Sequence, residues 1–292
     1  MTSESRLVAG AWDLHVHAAP SLFDRRGDVW DLADACAGAG MAGIVLKSHH
    51  GSSVEAAALV GARTPRLAVH GGVVLNAFVG GLNALAVEAS LALGGRIVWL
   101  PTIHAAAHEA CFGTLGGFPF QASKVARRPA SGLSILDADG RLTRGMLDIL
   151  EVLDGRSAIL ATGHVSAREV LALARHLRDT RADIRLLVTH VFFKVPGLTV
   201  DDLRALQSDR TWFETAWFTV SPKGNATAAQ VASWIGALPS ARWIMSSDSG
   251  QVSSPPGPEA LETFARGLIE GGLEERRVRE MLTDEPARLL GV

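Results

Sequence analysis

The chain of 292 residues holds only two cysteines, Cys36 and Cys111. Two thiols exclude a disulfide framework and a thiolate zinc cluster, and a reducing cytoplasm is the expected setting. Charge of one sign is equally scarce. Twenty-eight Lys plus Arg against 30 Asp plus Glu leave a formal net charge of −2. Such a chain binds a phosphate backbone poorly, so nucleic acid is not an expected partner. No apolar run qualifies as a membrane span. The stretch 67–87 lacks charged side chains, but His70, Asn76, Asn83 and the pairs Gly71-Gly72 and Gly80-Gly81 interrupt it, which is costly against lipid. The opening Met1-Thr-Ser-Glu-Ser-Arg has neither the basic nor the apolar region of a signal peptide. What is present suffices for a large core, since 48 % of residues are apolar and 20 % charged.

Short β-branched and apolar runs recur at 11–17, 42–48, 72–76, 96–102, 157–164, 184–190, 211–218 and 242–248, most starting roughly 26–31 residues apart. That is the length of one strand–helix unit. Helix signals fall between them. Ser52–Glu55, Ser166–Glu169 and Thr199–Asp202 have the spacing of a capping box. The apolar positions Val170, Leu173, Ala174, Leu177 and Leu261, Phe264, Leu268 repeat with helical period, the latter before Gly271-Gly272. Eight such units predict an α/β fold, a (β/α)8 TIM barrel in a single domain over residues 1–292. An open doubly wound sheet is the runner-up, but no G-x-G-x-x-G turn follows the first strand. One interval is too long: residues 103–143, after strand 4, are expected to form a Gly- and Pro-rich insertion, either a surface excursion or a lid over the site.

In such a barrel the C-terminal ends of the strands face a shared pocket. Those ends carry His15 and His17, Lys47-Ser-His49-His50, Asn76, His164, His190, Glu214 and Asp248, so six of the ten histidines lie at or just past a strand end. Alternation along a strand places His15 and His17 on one face and Leu14 and Val16 on the other. The His-x-His pair alone reads equally well as ligands or as satisfied polar side chains. With further strand-end histidines and Asp248 it becomes a nitrogen–oxygen set suited to zinc or a similar divalent ion.

Asp13-Leu-His-Val-His17, His164, His190, Asp248 and the closing Glu285-Pro-Ala-Arg-Leu-Leu-Gly291 resemble the signature of the amidohydrolase superfamily, in order along nearly the whole chain. The resemblance implies His15, His17 and His164 as metal ligands, with Asp248 as ligand, proton carrier or both. His190 would either bind metal or orient water and stabilise an oxyanion. It also implies one divalent metal, Zn2+ before Mn2+ or Fe2+, since the fourth strand, Arg96–Thr102, lacks the bridging carboxylated Lys or Glu of two-metal members; a second metal stays open. Lys47 is read as a catalytic or substrate-binding residue that holds an anionic group, with metal binding as a carbamate and a structural ion pair as alternatives. His49, Ser249 and Glu214 are read as substrate-binding, Glu214 also as a partner for Lys47.

The expected activity is hydrolysis of a carbon–nitrogen or carbon–oxygen bond in a small molecule such as an amide, lactam or lactone. A decarboxylase or hydratase on the same scaffold is the alternative. The opening motif with His49 and His50 also resembles the polymerase-and-histidinol-phosphatase type of phosphoesterase, but Asn76 and Gly250 stand where that family has a carboxylate and a His. A metal-binding barrel without turnover and a metal-free lactonase remain as minority readings. A homo-oligomer is compatible with everything above, and His70, His104, His108 and His176 carry weaker or bystander readings.

Overall fold

A computed structural model describes residues 7–121 and 123–292. The reading of the first six residues therefore lies outside the described part. Among the described residues nine parallel strands form in chain order: β1 Trp12–Val16, β2 Gly43–Leu46, β3 Ala68–His70, β4 Gly72–Val74, β5 Ile97–Trp99, β6 Ile159–Ala161, β7 Arg185–Val188, β8 Thr211–Ala216 and β9 Arg242–Ser246. They pair in the order β1-β2-β3 and β4-β5-β6-β7-β8-β9. Every one of the eight predicted runs contains a strand. The third is preceded by an extra piece, β3, which holds the supposed bystander His70. The break falls at Gly71-Gly72 for steric reasons: a Cβ on Gly71 would lie 2.6 Å from the Ser53 backbone, and one on Gly72 only 1.9 Å from the Ile97 carbonyl oxygen.

The ring closes on both sides of that break. Ser53 N–H donates to the Gly72 carbonyl at 2.9 Å, while the Asp248 N–H reaches the His15 carbonyl and the His17 N–H the Ser249 carbonyl, both at 2.9 Å. Gly250 makes this last junction feasible. Its φ is +119°, and a Cβ there would meet the His17 carbonyl oxygen at 2.0 Å.

Helices pack outside the strands, and their caps follow local chemistry. Ser166–Glu169 and Thr199–Asp202 close as reciprocal capping boxes. Ser52 instead donates to the Glu55 carboxylate while Ser53 occupies the cap position of Val54–Arg63. The barrel interior is a dry layer of Trp12, Leu14, Val45, Val74, Ile97, Trp99, Ile159, Ala161, Leu187, Trp212 and Ile244, plugged by Leu289 and Leu290 of the helix Asp284–Leu290. Glu285 of that helix accepts from Trp212 Nε1 at 2.9 Å.

Simple alternation fails on β1. Leu14 belongs to the interior layer while Val16 packs into the outer shell against the helices. The register shifts between Asp13 and Val16, and such an irregularity re-aims side chains. Leu14 keeps the lumen face of Trp12, while past it Val16 turns outward and His15 and His17 both reach the cavity above. No helix among the described residues is long and apolar enough to cross a membrane.

Candidate metal centre

Each lumen position two residues beyond the apolar layer is polar or lies beside a polar group, because side chains of equal parity stack along a strand. Val45 is followed by Lys47, Val74 by Asn76, Trp212 by Glu214 and Ile244 by Ser246. Glu214, fully buried, sits beneath His15 and takes its Nδ1–H, with its two oxygens at 3.1 and 3.3 Å. His17 Nδ1–H donates to the Lys47 carbonyl at 2.8 Å. Both bonds fix the tautomer and leave Nε2 of each ring as a bare lone pair.

Those two lone pairs converge on one carboxylate oxygen. Asp248 Oδ1 lies 3.2 Å from His15 Nε2 and 3.2 Å from His17 Nε2. Burial first, then the neighbouring cations Lys47 and Arg25, hold both imidazoles well below their usual pKa, so neither ring supplies the missing proton. Three acceptors facing one point attract a cation. The spacing fits a metal, since an ion about 2.0–2.2 Å from each donor sets ligand atoms roughly 3.0–3.6 Å apart. Lys47 reaches the same spot, its Nζ donating to His15 Nε2 at 3.0 Å. Burial pulls its ammonium down to about 8 against the attraction of Asp248 and Glu214.

A second group of possible ligands, His15, His190 and Glu214, shares His15 with the first. There the His15 Nδ1 is already committed to Glu214, so the donor chemistry favours a single ion at His15, His17 and Asp248.

Backbone strain concentrates here. Among the described residues three non-glycine positions have positive φ, and two of them are His190 at +52° and Asp248 at +49°. Such conformations cost free energy and persist where surrounding structure enforces them. His190 is pinned by its own N–H to Glu214 Oε2 at 3.2 Å, and its Nδ1 stands 3.8 Å from Glu214 and 4.0 Å from Asp248. Burial pushes its imidazole down to about 3.

His164 follows Gly163, whose φ of +58° and whose missing Cβ, which would lie 2.3 Å from the Leu100 carbonyl oxygen, allow the turn that brings the ring inward. His164 lines the same cavity as the cradle, but its ring nitrogens fall outside the two ligand groups. Its orientation comes from the insertion. His108 Nε2–H donates to the Gly117 carbonyl at 2.8 Å, so His108 Nδ1 accepts from His164 Nδ1 at 3.0 Å, leaving His164 Nε2 bare.

The remaining predicted residues separate clearly. His49 stacks on His17 with ring centres 4.7 Å apart and shares a hydrogen bond with Thr102 at 3.0 Å, on the cavity wall. Ser249 turns away and donates to the Pro255 carbonyl at 2.6 Å. Glu214 pairs with His15 rather than contacting the cavity. Asn76 spends its side chain on the backbone of His49, Thr102 and His104 and on the Thr102 hydroxyl. With Asn76 committed and Gly250 pressed on His17, the phosphoesterase pattern gains no support.

Residues not anticipated complete the cavity. Arg25 and Phe23 come from the segment after β1, and Phe118, Phe120 and Gln121 from the insertion, beside Phe193 and Phe218. This roof leaves about 20 Å³ at the centre, room for one water-sized occupant. Nothing local marked Arg25, nine residues past the end of β1, or Phe118 and Phe120 in the insertion.

Residues 10–214 match a family described as a family of unknown function (DUF6282). No curated protein matches the chain. Solved structures similar to it include an amidohydrolase from Pseudomonas aeruginosa, at 12 % identity and TM-score 0.62 over 98 % of this chain and 97 % of that one. The probable dipeptidase PvdM from Pseudomonas aeruginosa aligns at 11 % identity and TM-score 0.63, over 99 % and 96 %. A 2,6-dihydroxybenzoate decarboxylase from Rhizobium aligns at 11 % and 0.56, over 97 % and 99 %. At these identities the likeness is one of fold alone, an α/β fold of parallel strands shared with these structures.

Proposed function

This chain belongs to the DUF6282 family of unknown function, and we propose that it is a metal-dependent hydrolase acting on a carbon–nitrogen or carbon–oxygen bond of a small molecule. One observation carries the reading: two neutral imidazoles of fixed tautomer aim unprotonated nitrogens at Asp248 Oδ1 from 3.2 Å each, the His15 nitrogen also taking a hydrogen bond from Lys47 Nζ at 3.0 Å.

His15, His17 and Asp248 would hold one divalent ion, Zn2+ being suited to two imidazoles and a carboxylate, with His164 Nε2 facing the same cavity. A bound ion of this kind supplies Lewis acidity, lowering the pKa of a water toward neutrality and polarising a carbonyl oxygen. Asp248 keeps Oδ2 available to take a proton from the attacking water and return it to the leaving group. Glu214 holds His15 in the tautomer that points Nε2 outward. His190, neutral and pinned by Glu214, can give a hydrogen bond to the oxygen that becomes negative. The phenylalanine roof excludes bulk water, which strengthens each of these charge interactions.

A decarboxylase on the same cradle is the second reading, favoured by the Arg25 guanidinium on the cavity wall. Elemental analysis of protein purified without added metal should find about one divalent ion per chain. A chelator should abolish turnover on a panel of lactones, amides and aryl acids, and readdition should restore it. His15→Ala should lose the ion. Full metal content in that variant removes His15 from the cradle, and chelator-insensitive turnover refutes the proposal. Carbon dioxide release from the aryl acids selects the second reading.

A further inference from the structure

One wall of the cavity takes no part in holding a cation or moving a proton. Arg25 lies on it, anchored by a backbone bridge to Gln251, by Nε–H donation to the Ser21 hydroxyl at 3.2 Å and by the Phe23 ring 5.5 Å from its guanidinium carbon. Among the described residues no acceptor meets its two terminal nitrogens. Burial lowers the guanidinium to about 10 while Asp248 attracts it. A half-buried Arg on a cavity wall, its planar fork without a protein acceptor, keeps that fork available to a ligand.

The rest of that wall is apolar and aromatic. Phe193 stands 5.8 Å from the His190 ring and 5.9 Å from Phe218, and Phe118 lies 6.2 Å from His164 and 5.1 Å from Phe120. Rings at these spacings already touch one another, so a further ring can only lie against the faces they turn to the cavity. Lys47, the other cation of the cavity, is turned to His15 Nε2 at 3.0 Å and so belongs to the cradle.

We infer that Arg25 clamps a substrate carboxylate and that the substrate class is an aryl carboxylate, or an equally flat apolar acid, whose ring lies among Phe118, Phe120, Phe193 and Phe218. The inference rests on the cavity being the substrate site of the proposed metal enzyme. A carboxylate fits better than a phosphate, because one guanidinium offers two parallel donors and no second free cation faces it among the described residues. The closed roof must lift to admit a ring, since about 20 Å³ remains beneath it. Its ties are light and lead to the same segment. Lys124 pairs with Asp24 at 3.1 Å with both side chains mostly exposed, and Gln121 donates to the Asp24 carbonyl at 3.0 Å. An exposed pair contributes little. The aromatic cover and the segment carrying Arg25 are thus joined, also by the Lys124 N–H to the Leu22 carbonyl at 2.9 Å.

The test is titration calorimetry of the metal-loaded protein with benzoate, benzamide and acetate, with metal content measured on the same samples. Benzoate should bind at least tenfold tighter than either of the others. Arg25→Met should weaken benzoate roughly 10- to 100-fold, the scale of a lost charged hydrogen-bond pair, while leaving benzamide and metal content unchanged. Arg25→Lys, which keeps the charge without the fork, should recover part of the loss and guards against misfolding of the first variant. Equal binding of benzoate and benzamide, no benzoate binding by the native chain, or undiminished benzoate binding by both variants overturns the clamp. Absence of metal with the benzoate preference intact overturns the hydrolase reading and leaves the clamp standing.

Discussion

Two layers of the same lumen, one residue pair apart, behave as different materials. In the lower layer Val45, Ala161, Leu187 and Ile244 pack without a titratable group and are at most 1 % exposed. In the upper layer Lys47, His164, His190 and Glu214 are at most 4 % exposed, yet each is polar and bound to another polar group. The backbone is continuous through both, so the difference lies in side-chain chemistry alone. The lower layer supplies hydrophobic stabilisation. The upper one holds charge at a cost to stability, in return for a preorganised site.

The largest effects should separate the two layers cleanly. Asp248→Asn removes both a cation ligand and the proton carrier and should lower turnover by about 1000-fold or more, while the unfolding midpoint of the metal-free protein changes little. Leu187→Ala should do the reverse, costing about 2–5 kcal/mol of stability with kcat preserved in the fraction that stays folded. Equal damage to stability and turnover in both variants would erase the distinction between layers. Chemical denaturation and steady-state kinetics on the two proteins decide it.

Much of this contrast can be read from the sequence, because both layers are local patterns. Apolar runs gave the strands, and the residues ending them gave His15, His17, His164, His190, Glu214 and Asp248. What stayed hidden depends on neighbours distant in the chain. The shift on β1 that turns Val16 outward shows only in its register against β2, and no residue of the strand marks it. Glu214 was expected to meet Lys47 or substrate, and its real partner, His15, is 199 residues away. His108 orients His164 across 56 residues, from an insertion whose sequence has no periodicity to betray it. Arg25, Phe118 and Phe120 were missed for the same reason. Loops that roof a site carry no repeating pattern, and their contribution appears only when the ring of strands is closed.

A smaller effect tests whether Glu214 serves the upper layer through His15. Glu214→Gln keeps the volume but offers an amide to His15 Nδ1. The tautomer preference weakens, and metal affinity should fall about 10- to 100-fold, as for other outer partners of ligand histidines. Competition titration with a chromogenic chelator measures it. Unchanged affinity would mean that Glu214 stabilises the strand ends only, and the functional layer would then begin one residue higher.

The smallest effect per group is a proton. His15, His17, His49 and His164 are held well below the usual imidazole range, first by burial, and His108 is lowered to about 4 and His190 to about 3. With the folded pKa depressed, the unfolded chain binds more protons below about 6.5, so stability is full above that pH and is lost as pH falls. From pH 7.5 to 6.5 each such imidazole should cost the metal-free protein only about 0.4 kcal/mol. The slope of unfolding free energy against pH counts them. His108→Gln should lower the proton count by one, whereas Leu187→Ala should shift the whole curve down without changing its slope. A slope unaltered by His108→Gln would place that ring outside the group of neutral imidazoles and return the setting of the His164 tautomer to some other contact.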